Sequence, residues 1–465
     1  MRKDYDLIVV GSGPGGYVAA VRAAQLGFRT AIIERAELGG VCLNWGCIPT
    51  KALLHAADIS HTLRGAQQFG VLAGETHDID LKAMVARSRK VAGQLSQGID
   101  YLMRKHDVDV LRGSAHLLDK CQLRIEGESS IDLHAPHIIL ATGARAKTLP
   151  FLPANSPRVW SARTAMTPTW LPKSLLIIGA GAIGIEFASL YNDLGTEVTV
   201  VEALDRILPG EDSEISELAA QQLSRRGIRL LTGVTISGVE EGDSGIDAEF
   251  RDANGDRIRQ RFDCLLPAIG VTGNVEELGL ESVGAEVRNG FLQTDAYCRT
   301  NVVGLYAIGD VAGAPWLAHK ASHEGILCVE TIAGVANTHP IKPEHIPGCT
   351  YCRPQIASIG LSEREAAHRG IELRVGRARL QANGKALAIG EAQGLVKTLF
   401  DAGSGEFLGA HMIGPEVTEQ IQGYAVALAM EATEEDLKRA VFPHPTLSES
   451  MHESVLDAYN ISVNQ

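Results

Sequence analysis

The sequence has no long hydrophobic run and no excess of positive charge. No apolar stretch reaches the about 18 residues that a membrane-spanning helix needs, which excludes a membrane span. Acidic residues outnumber basic ones by 56 to 43, and the net charge is −13. Phosphate backbones repel such a chain, so we expect no nucleic-acid partner. Residues 1–6 lead directly into a strand-like segment and leave no room for a signal peptide, so we expect a cytoplasmic protein.

Cysteine is scarce as well, with 8 among 465 residues. Structural disulfides are rare in a reducing compartment. Cys349 and Cys352 form a C-x-x-C, but the matching second pair of a zinc site is absent, and we predict no metal site. Cys42 and Cys47 are considered separately below. We interpret the other six cysteines as buried thiols in apolar or strand-like surroundings: Cys121, Cys264, Cys298, Cys328, Cys349 and Cys352.

Glycine is abundant, with 49 residues, and part of it belongs to a repeated unit. Segment 7–34 reads as an apolar strand, a G-x-G-x-x-G motif, a helix and a second strand that ends in Glu34. Segment 175–202 repeats this order and ends in Glu202, with every shared position displaced by 168 residues. The motif glycines are Gly11, Gly13 and Gly16 in the first copy and Gly179, Gly181 and Gly184 in the second.

The repeated unit is typical of a dinucleotide-binding fold. The glycines permit a tight turn and let the backbone approach a pyrophosphate, whose charge the helix N-terminus stabilises. A carboxylate after the second strand accepts hydrogen bonds from a ribose and repels a 2′-phosphate, so Glu202 favours NAD over NADP. A solvated glutamate at a strand end is the alternative for Glu34 and Glu202. Two complete copies predict two dinucleotide sites.

Two further strand-like segments end in residues suited to the first site, one in Thr142-Gly143 and one in Gly309-Asp310. The Asp310 carboxylate could bind a ribityl hydroxyl, although a plain turn would explain the same dipeptide. After about residue 346 the glycine motifs stop. We predict a third, α+β domain there, with strands at 355–361, 373–380, 394–400 and 406–413 and helices at 417–430 and from Glu434.

Four residues separate Cys42 from Cys47, and an apolar helical pattern follows the pair. Pro49 stands where the first helical turn would begin, so both thiols lie near a helix N-terminus. The positive end of a helix dipole stabilises a thiolate. The pair is therefore interpreted as redox-active, with two buried thiols in a loop as the alternative.

The segment 443–449 places a histidine close to a carboxylate. A dithiol must lose a proton before it attacks a disulfide, and a histidine oriented by a carboxylate accepts that proton near neutral pH. His444 and Glu449 have this pattern. Thr446 and Glu449 also have the spacing of a capping box, so Glu449 could simply cap a helix and His444 could be a turn residue.

Residues 39–51 resemble the signature G-G-x-C-x-N-x-G-C-I-P-[ST]-K of the dihydrolipoamide dehydrogenases, members of the FAD-dependent pyridine nucleotide–disulfide oxidoreductases. The resemblance covers essentially the whole chain and is most specific at 39–51, 179–186 and 444–449. It implies FAD at the first dinucleotide site, NAD at the second, and reversible oxidation of protein-bound dihydrolipoyl groups. Another disulfide reductase of the family, or a flavoprotein that mainly docks a specialised lipoate-binding protein, is the alternative.

The resemblance also implies individual roles. Cys47 contacts the flavin, Cys42 meets the substrate, and Lys51 lies near the flavin and pairs with Glu186. His444 of one subunit, oriented by Glu449, reaches the cysteines of the other, which implies a homodimer with shared active sites. The other positions that match cofactor contacts are Ala115, Thr142, Gly143, Asp310, Leu317, Ala318, His319 and Gly270.

At roughly 100–200 residues per domain, 465 residues allow about three domains. We predict an α/β protein with two Rossmann-like dinucleotide-binding domains and a C-terminal α+β dimerisation domain. The expected division is FAD-binding at 1–147, NAD-binding at 148–269, a return to the FAD-binding, central domain at 270–345, and the interface domain at 346–465.

Two local departures from the family pattern stand out. Phe442 occupies a position where many relatives have a second histidine, and Gly270 is not followed by the arginine that many relatives carry. The lipoylated carrier stays open: it could belong to a 2-oxo acid dehydrogenase complex, to the glycine cleavage system, or to a specialised pathway such as sulfur oxidation.

Overall fold

The computed structural model describes residues 3–72, 78–127, 130–153, 156–252 and 255–464. Each repeated unit forms one parallel sheet, and the central strands of both sheets are buried and apolar because helices cover them. The first sheet has the order Leu305–Ala307, His137–Leu140, Leu7–Val10, Thr30–Glu34, Asp109–Arg112. The second has the order Arg229–Thr232, Glu197–Glu202, Ser174–Ile178, Cys264–Pro267.

The duplication extends beyond the glycine motifs, because each parallel sheet has a smaller companion sheet inserted before its next parallel strand. The companion of the first sheet consists of Lys3–Asp4, Ile131–His134, Gln122–Glu126 and Ser114–Asp119. The companion of the second consists of Thr235–Gly242, Gly245–Arg251 and Arg257–Phe262. Two short antiparallel pairs complete this part: Ala144–Ala146 with Val271–Gly273, and Val287–Arg288 with Phe291–Leu292.

The helices Pro14–Gln25 and Ala182–Asp193 begin directly after the two glycine turns. The redox segment forms two further helices, Gly40–Trp45 and Cys47–Gly65. The other α-helices are Leu81–Lys105, Ala162–Ala165, Ser213–Arg225, Leu280–Val283, Ala318–Ala333, Glu363–His368, Gly384–Ala388, Val417–Ala429, Glu434–Arg439 and Glu449–Asp457. Short 3₁₀ turns lie at Ala66–Phe69, Gly309–Ala312, Pro343–His345 and Leu380–Ala382.

The C-terminal part is a five-stranded antiparallel sheet flanked by helices. Its order is Gly348–Thr350, Gln355–Gly360, Phe407–Gly414, Leu395–Asp401, Leu373–Arg379. All four strands expected after residue 354 are present with bounds within one residue, and so are the helices from Val417 and Glu434. The predicted fold, two dinucleotide-binding units followed by an α+β unit, is confirmed.

A buried charge cluster joins the second dinucleotide-binding unit to the C-terminal sheet. The Lys397 side chain is 1% exposed, and its Nζ lies 2.8 Å from Asp212 and 3.1 Å from Glu214. Nothing in the sequence pattern pointed to this lysine, because its partners are far away in the chain. Across the described ranges, no helix combines the length and apolar character that crossing a bilayer demands. The same ranges hold no group of three potential metal ligands.

Candidate active site

The first glycine of each motif occupies a position that only glycine can fill. Gly11 has φ +102° and Gly179 has φ +100°, in the left-handed region. A Cβ on Gly11 would lie 2.3 Å from the carbonyl oxygen of Ala141. A Cβ on Gly179 would lie 2.4 Å from the carbonyl oxygen of Ala268. Both turns therefore pass directly over the end of a neighbouring parallel strand.

The second and third glycines of each motif have different roles. A Cβ on Gly16 or Gly184 would lie 1.9 Å or 2.0 Å from the carbonyl oxygen of the first glycine, so these residues let the helix start against the turn. At Gly13 and Gly181 an added Cβ would meet no atom within 4 Å. Each turn thus leaves open space beside a helix N-terminus, as a pyrophosphate requires. The residues present fit a dinucleotide at both sites.

Glu34 and Glu202 are held in the same way. One carboxylate oxygen accepts a hydrogen bond from the N–H of the second motif residue, at 2.9 Å for Glu34 and 2.7 Å for Glu202. The other accepts from the N–H two residues after the glutamate, at 2.8 Å and 2.9 Å. An ionised carboxylate can accept further bonds. The geometry leaves both carboxylates with capacity to accept hydrogen bonds from a ribose, and in the structure their observed bonds close the turn.

Thr142 and Gly143 are locked to a segment from the other side of the second unit. Thr142 Oγ1 donates to the Asn274 carbonyl at 2.8 Å, and Asn274 Nδ2 donates to the Thr142 carbonyl at 2.8 Å. The Asn274 N–H adds a bond to the Gly143 carbonyl at 2.9 Å. Sequence reasoning missed this role of Asn274. Gly270 begins the same segment with φ +97° and open space around its α-carbon.

The remaining predicted flavin-side residues lie at three places. Ala115 is buried in the strand Ser114–Asp119, and Asp310 lies in the turn after the strand Leu305–Ala307. Burial raises the pKa of the Asp310 carboxyl. Within the described ranges this carboxyl has no hydrogen-bond partner, so its oxygens are available to a ligand hydroxyl. Leu317, Ala318 and His319 form the start of the helix Ala318–Ala333.

The two cysteines lie on different helices that meet at Gly46. Cys42 belongs to the helix Gly40–Trp45, and Cys47 is the first residue of the helix Cys47–Gly65. The thiols share a hydrogen bond, which lowers the pKa of Cys47 and raises that of Cys42. The charge of Lys51, one turn later, also lowers the pKa of Cys47. Cys47 is therefore the thiol of the pair that loses its proton more readily.

Lys51 pairs with Glu186, as expected, with its Nζ 2.9 Å from both carboxylate oxygens. The Tyr351 N–H donates to the same carboxylate at 3.0 Å, and the Lys51 ammonium lies 4.3 Å from the centre of the Tyr351 ring. The pair therefore joins the redox helix, the second dinucleotide-binding unit and the C-terminal unit. Sequence reasoning missed Tyr351, although it lies between Cys349 and Cys352, whose C-x-x-C spacing was weighed only as part of a zinc site.

His444 and Glu449 form the second polar pair. His444 Nδ1 lies 2.9 Å from one oxygen of Glu449, and the other oxygen accepts the Thr446 N–H at 2.9 Å. These two bonds, that of Thr446 first, lower the pKa of Glu449. Glu449 thus contacts the histidine and satisfies the Thr446 N–H, but the capping box expected from Thr446 and Glu449 does not form. The helix begins at Glu449 with Ser448 as its N-cap, and the Thr446 hydroxyl donates to the Pro443 carbonyl instead of accepting a backbone N–H. The His444 side chain is 77% exposed, and within the described ranges no hydrogen bond or ion pair joins it to Cys42 or Cys47.

Phe442 stacks on His452, with ring centres 5.1 Å apart and planes 21° from parallel. This phenylalanine therefore packs against the helix Glu449–Asp457, where many relatives carry a histidine.

The expectation of six buried thiols is correct for four cysteines and wrong for two. Cys264, Cys298, Cys328 and Cys352 are buried, whereas Cys121 and Cys349 are half-buried. Cys121 lies in the turn between two strands of the first companion sheet, and Cys349 lies on the edge strand Gly348–Thr350, so neither is covered on all sides. Burial raises the pKa of Cys349 to about 11 and that of Cys352 to about 12, which keeps both protonated at neutral pH.

Comparison with known proteins agrees with this site. A family model described as pyridine nucleotide-disulphide oxidoreductase matches residues 5–325, and the dimerisation domain of the same family matches residues 346–455. The dihydrolipoyl dehydrogenase of Rhizobium etli is 48% identical, with 100% of both chains covered. That of Zymomonas mobilis is 50% identical, with 99% of both chains covered. The crystal structure of LpdA from Mycobacterium tuberculosis superposes with a TM-score of 0.90 at 27% identity, covering 97% of this chain and 99% of that one.

The dimerisation domain indicates a homodimer. Both dinucleotide sites have the space and the donors that their ligands need, and the family uses FAD and NAD. The chain is an FAD- and NAD-dependent disulfide oxidoreductase, and it belongs to the pyridine nucleotide-disulphide oxidoreductase family.

Proposed function

We propose that this protein oxidises protein-bound dihydrolipoyl groups to lipoyl groups, reversibly, with NAD as the final acceptor. The observation that carries the proposal is the Cys42–Cys47 pair at the head of the redox helix, with its second thiol favoured as the thiolate. The full-length relatives described as dihydrolipoyl dehydrogenases support the choice of substrate.

The two glycine turns are the proposed cofactor sites. FAD would be held in the first unit by the turn at 11–16 together with Glu34, Thr142, Gly143 and Asp310. NAD would be held in the second unit by the turn at 179–184 together with Glu202 and Gly270. The chemistry that these groups supply when bound is two-electron transfer from the dithiol to nicotinamide. The remaining steps belong to the side chains of this protein.

His444 of the partner subunit is the proposed base. Its imidazole takes a proton from the dihydrolipoyl thiol, and Glu449 holds the ring and stabilises the imidazolium that forms. The exposure of His444 in the single chain supports this arrangement, because an exposed side chain is free to enter the active site of a second copy. Each active site of the homodimer would then be shared.

The cysteines exchange the disulfide with the substrate. The substrate thiolate attacks Cys42 Sγ, the Cys42–Cys47 bond breaks, and its electron pair remains on Cys47 as a thiolate. The second substrate thiol, after losing its proton, attacks the mixed disulfide, which closes the lipoyl ring and releases Cys42. The cysteine pair has then gained the two electrons that the substrate lost. Lys51 stabilises the Cys47 thiolate throughout.

The domain division at residues 147, 269 and 345 and the cytoplasmic location stay predictions. The change from the first sheet to the second and back, between the strands His137–Leu140 and Leu305–Ala307, supports the division. The lipoylated carrier is likewise proposed from the family resemblance.

The test is turnover of free dihydrolipoamide with NAD by the purified homodimer. We expect Cys47→Ser to abolish turnover and the long-wavelength charge-transfer absorption of the partly reduced protein. We expect His444→Gln to lose most of the turnover, by about 10²–10⁴-fold for a general base, while NADH still reduces the flavin. Unchanged turnover in either variant would contradict the assignment. A wild-type protein that fails with dihydrolipoamide but reduces another disulfide, or only binds a lipoate-binding protein, would favour the alternatives.

A further inference from the structure

Trp45 lies between two arginines in the segment that joins the redox cysteines. The Arg89 guanidinium carbon lies 3.8 Å from the centre of the Trp45 ring, and that of Arg163 lies 3.7 Å away. Two guanidinium groups that close to one ring centre must occupy opposite faces, because they would collide on the same face. We name the set Arg89, Trp45 and Arg163 the Trp45 clamp.

The clamp connects three parts of the chain. Arg89 belongs to the helix Leu81–Lys105, and it also donates a hydrogen bond to the Asn44 carbonyl next to Trp45. Arg163 belongs to the helix Ala162–Ala165, which precedes the second parallel sheet. A guanidinium over the face of an indole is attracted by the negative face of the ring. The ring is thus held from both sides by elements outside the redox segment.

Glu37 completes the clamp. Its carboxylate accepts the Trp45 Nε1–H at 3.3 Å and lies 4.0 Å from the Arg163 guanidinium. The acid offsets the repulsion between two like charges on either side of one ring. The indole is therefore fixed both across its plane and along its edge.

The clamped residue lies directly before the joint between the two cysteine helices. Trp45 ends the helix of Cys42, Gly46 follows, and Cys47 begins the next helix. The second helix has its own anchor in the Lys51–Glu186 ion pair. The separation of the two sulfurs thus depends on two anchors, one on each side of Gly46.

Reduction of the disulfide breaks one covalent bond, and the freed sulfurs separate to van der Waals distance. A segment that keeps them close gives each thiol a high effective concentration for the other, which favours closure of the disulfide. We infer that the Trp45 clamp is a positioning device that holds Cys42 against Cys47 and thereby sets the equilibrium and rate of closing their disulfide. This inference rests on the proposed function for its role in turnover, but not for the equilibrium itself.

The first experiment measures the disulfide equilibrium in the holoenzyme. The protein is equilibrated with mixtures of reduced and oxidised dithiothreitol, quenched with acid and alkylated, and the Cys42–Cys47 disulfide is quantified by mass spectrometry. For Trp45→Val we expect the equilibrium constant for closure to fall about tenfold, or about 30 mV for this two-electron couple. Trp45→Phe keeps an aromatic face for both cations and should retain most of the wild-type value. A Trp45→Val value within about twofold of wild type overturns the inference.

A double-mutant cycle shows whether the arginine acts through the ring. Arg163→Gln should lower the closure constant in the wild-type background and have no further effect in Trp45→Val. If Arg163→Gln lowers the closure constant as much in the Trp45→Val background as in the wild-type background, the inference is overturned. Arg87→Gln is the matched control, since it removes an exposed arginine from the same helix as Arg89, and it should change nothing. Should Trp45→Val fail to fold, Arg163→Gln alone still decides, because a wild-type equilibrium in Arg163→Gln overturns the inference.

Turnover separates this inference from the proposed function. In Trp45→Val we expect kcat with dihydrolipoamide to fall about 10-fold to 100-fold with little change in KM, because the thiols rather than the binding site are displaced. NADH oxidation with a quinone acceptor, which bypasses the cysteines, should not change. If wild-type protein does not oxidise dihydrolipoamide, the proposed function fails, while the dithiothreitol equilibrium still tests the clamp.

Discussion

The two dinucleotide-binding units share one turn geometry but differ in what surrounds the turn. Their first glycines have φ values of +102° and +100°, and their third glycines would clash with the same carbonyl at 1.9 Å and 2.0 Å if they carried a side chain. In each unit the glutamate accepts hydrogen bonds from two backbone N–H groups at equivalent positions. The geometry of the turn itself therefore does not distinguish the two dinucleotide sites.

The first turn is enclosed by other parts of the chain. The helix Ala318–Ala333 packs so closely that a Cβ on Gly325 would lie 2.7 Å from the Gly15 carbonyl oxygen. The redox segment covers another side, since a Cβ on Gly40 would lie 2.7 Å from the α-carbon of Gly13. A hydroxyl adds a further tie, because Ser12 Oγ donates to Glu34 at 2.6 Å.

The second turn is more open. Ile183, just inside the glycine motif, is 47% exposed, and Leu204, just after the strand that ends in Glu202, is 52% exposed. The comparison indicates that the turn recognises a dinucleotide, whereas the surroundings decide whether it stays or exchanges. An enclosed site suits a retained FAD, and an open site suits an NAD that must leave after each turnover.

The largest effect is expected from substitutions at the two open glycines, which test the comparison directly. A Cβ added at either position meets no protein atom within 4 Å, so a valine side chain would begin in the space left for a pyrophosphate. Gly13→Val should yield protein without flavin absorbance and without activity. Gly181→Val should keep its flavin and lose roughly 100-fold in kcat/KM for NAD, a loss of about 2.7 kcal/mol. Equal flavin loss in both variants would break the distinction between the two sites.

A smaller effect is expected from Lys51→Met, which removes the ion pair between the two units. The charge of Lys51 lowers the pKa of Cys47, so its loss raises that pKa. A thiolate exists above its pKa, and the thiolate signal of the reduced protein should therefore appear at higher pH in the variant. Titrating the charge-transfer absorption against pH measures this. A titration that moves to lower pH would contradict the role of the lysine.

The smallest effect is expected at the paired glutamates. Glu202→Gln replaces one carboxylate oxygen, which accepts a backbone N–H, with an NH2 group that cannot accept. The lost hydrogen bond is worth about 1 kcal/mol, or roughly fivefold in KM for NAD. The preference for NAD over NADP should shrink because the repelling charge is gone. Glu34→Gln is the matched change in the first unit, and it should weaken FAD retention while leaving KM for NAD of the flavin-loaded protein unchanged. Steady-state kinetics with both coenzymes would distinguish the two variants.

Much of this fold can be predicted from short stretches of sequence. The glycine motif and its glutamate lie within 24 residues, and a repeat at a constant offset of 168 residues is visible without any structure. The bounds of the strands after residue 354 were predicted within one residue. Cys42 and Cys47 are close together and directly precede a helical pattern, so their chemistry was also readable.

Contacts across long separations were not readable. Tyr351 meets Glu186 across 165 residues, and Asn274 meets Thr142 across 132. No periodic pattern links such pairs, because each residue is placed by the packing of its own element. The partial exposure of Cys349 was missed for a related reason, since whether its strand lies at the edge of a sheet depends on the neighbouring strands.

By itself, the sequence determined two dinucleotide-binding turns, a dithiol pair and a histidine–glutamate pair, because each depends on residues close together in the chain. Only the tertiary structure decided which turn is enclosed and which is open, which thiol has the lowered pKa, and that Trp45 is held between Arg89 and Arg163. Enclosure, electrostatic fields and cation–π contacts act through space, and the distances that govern them are set when separate elements pack together.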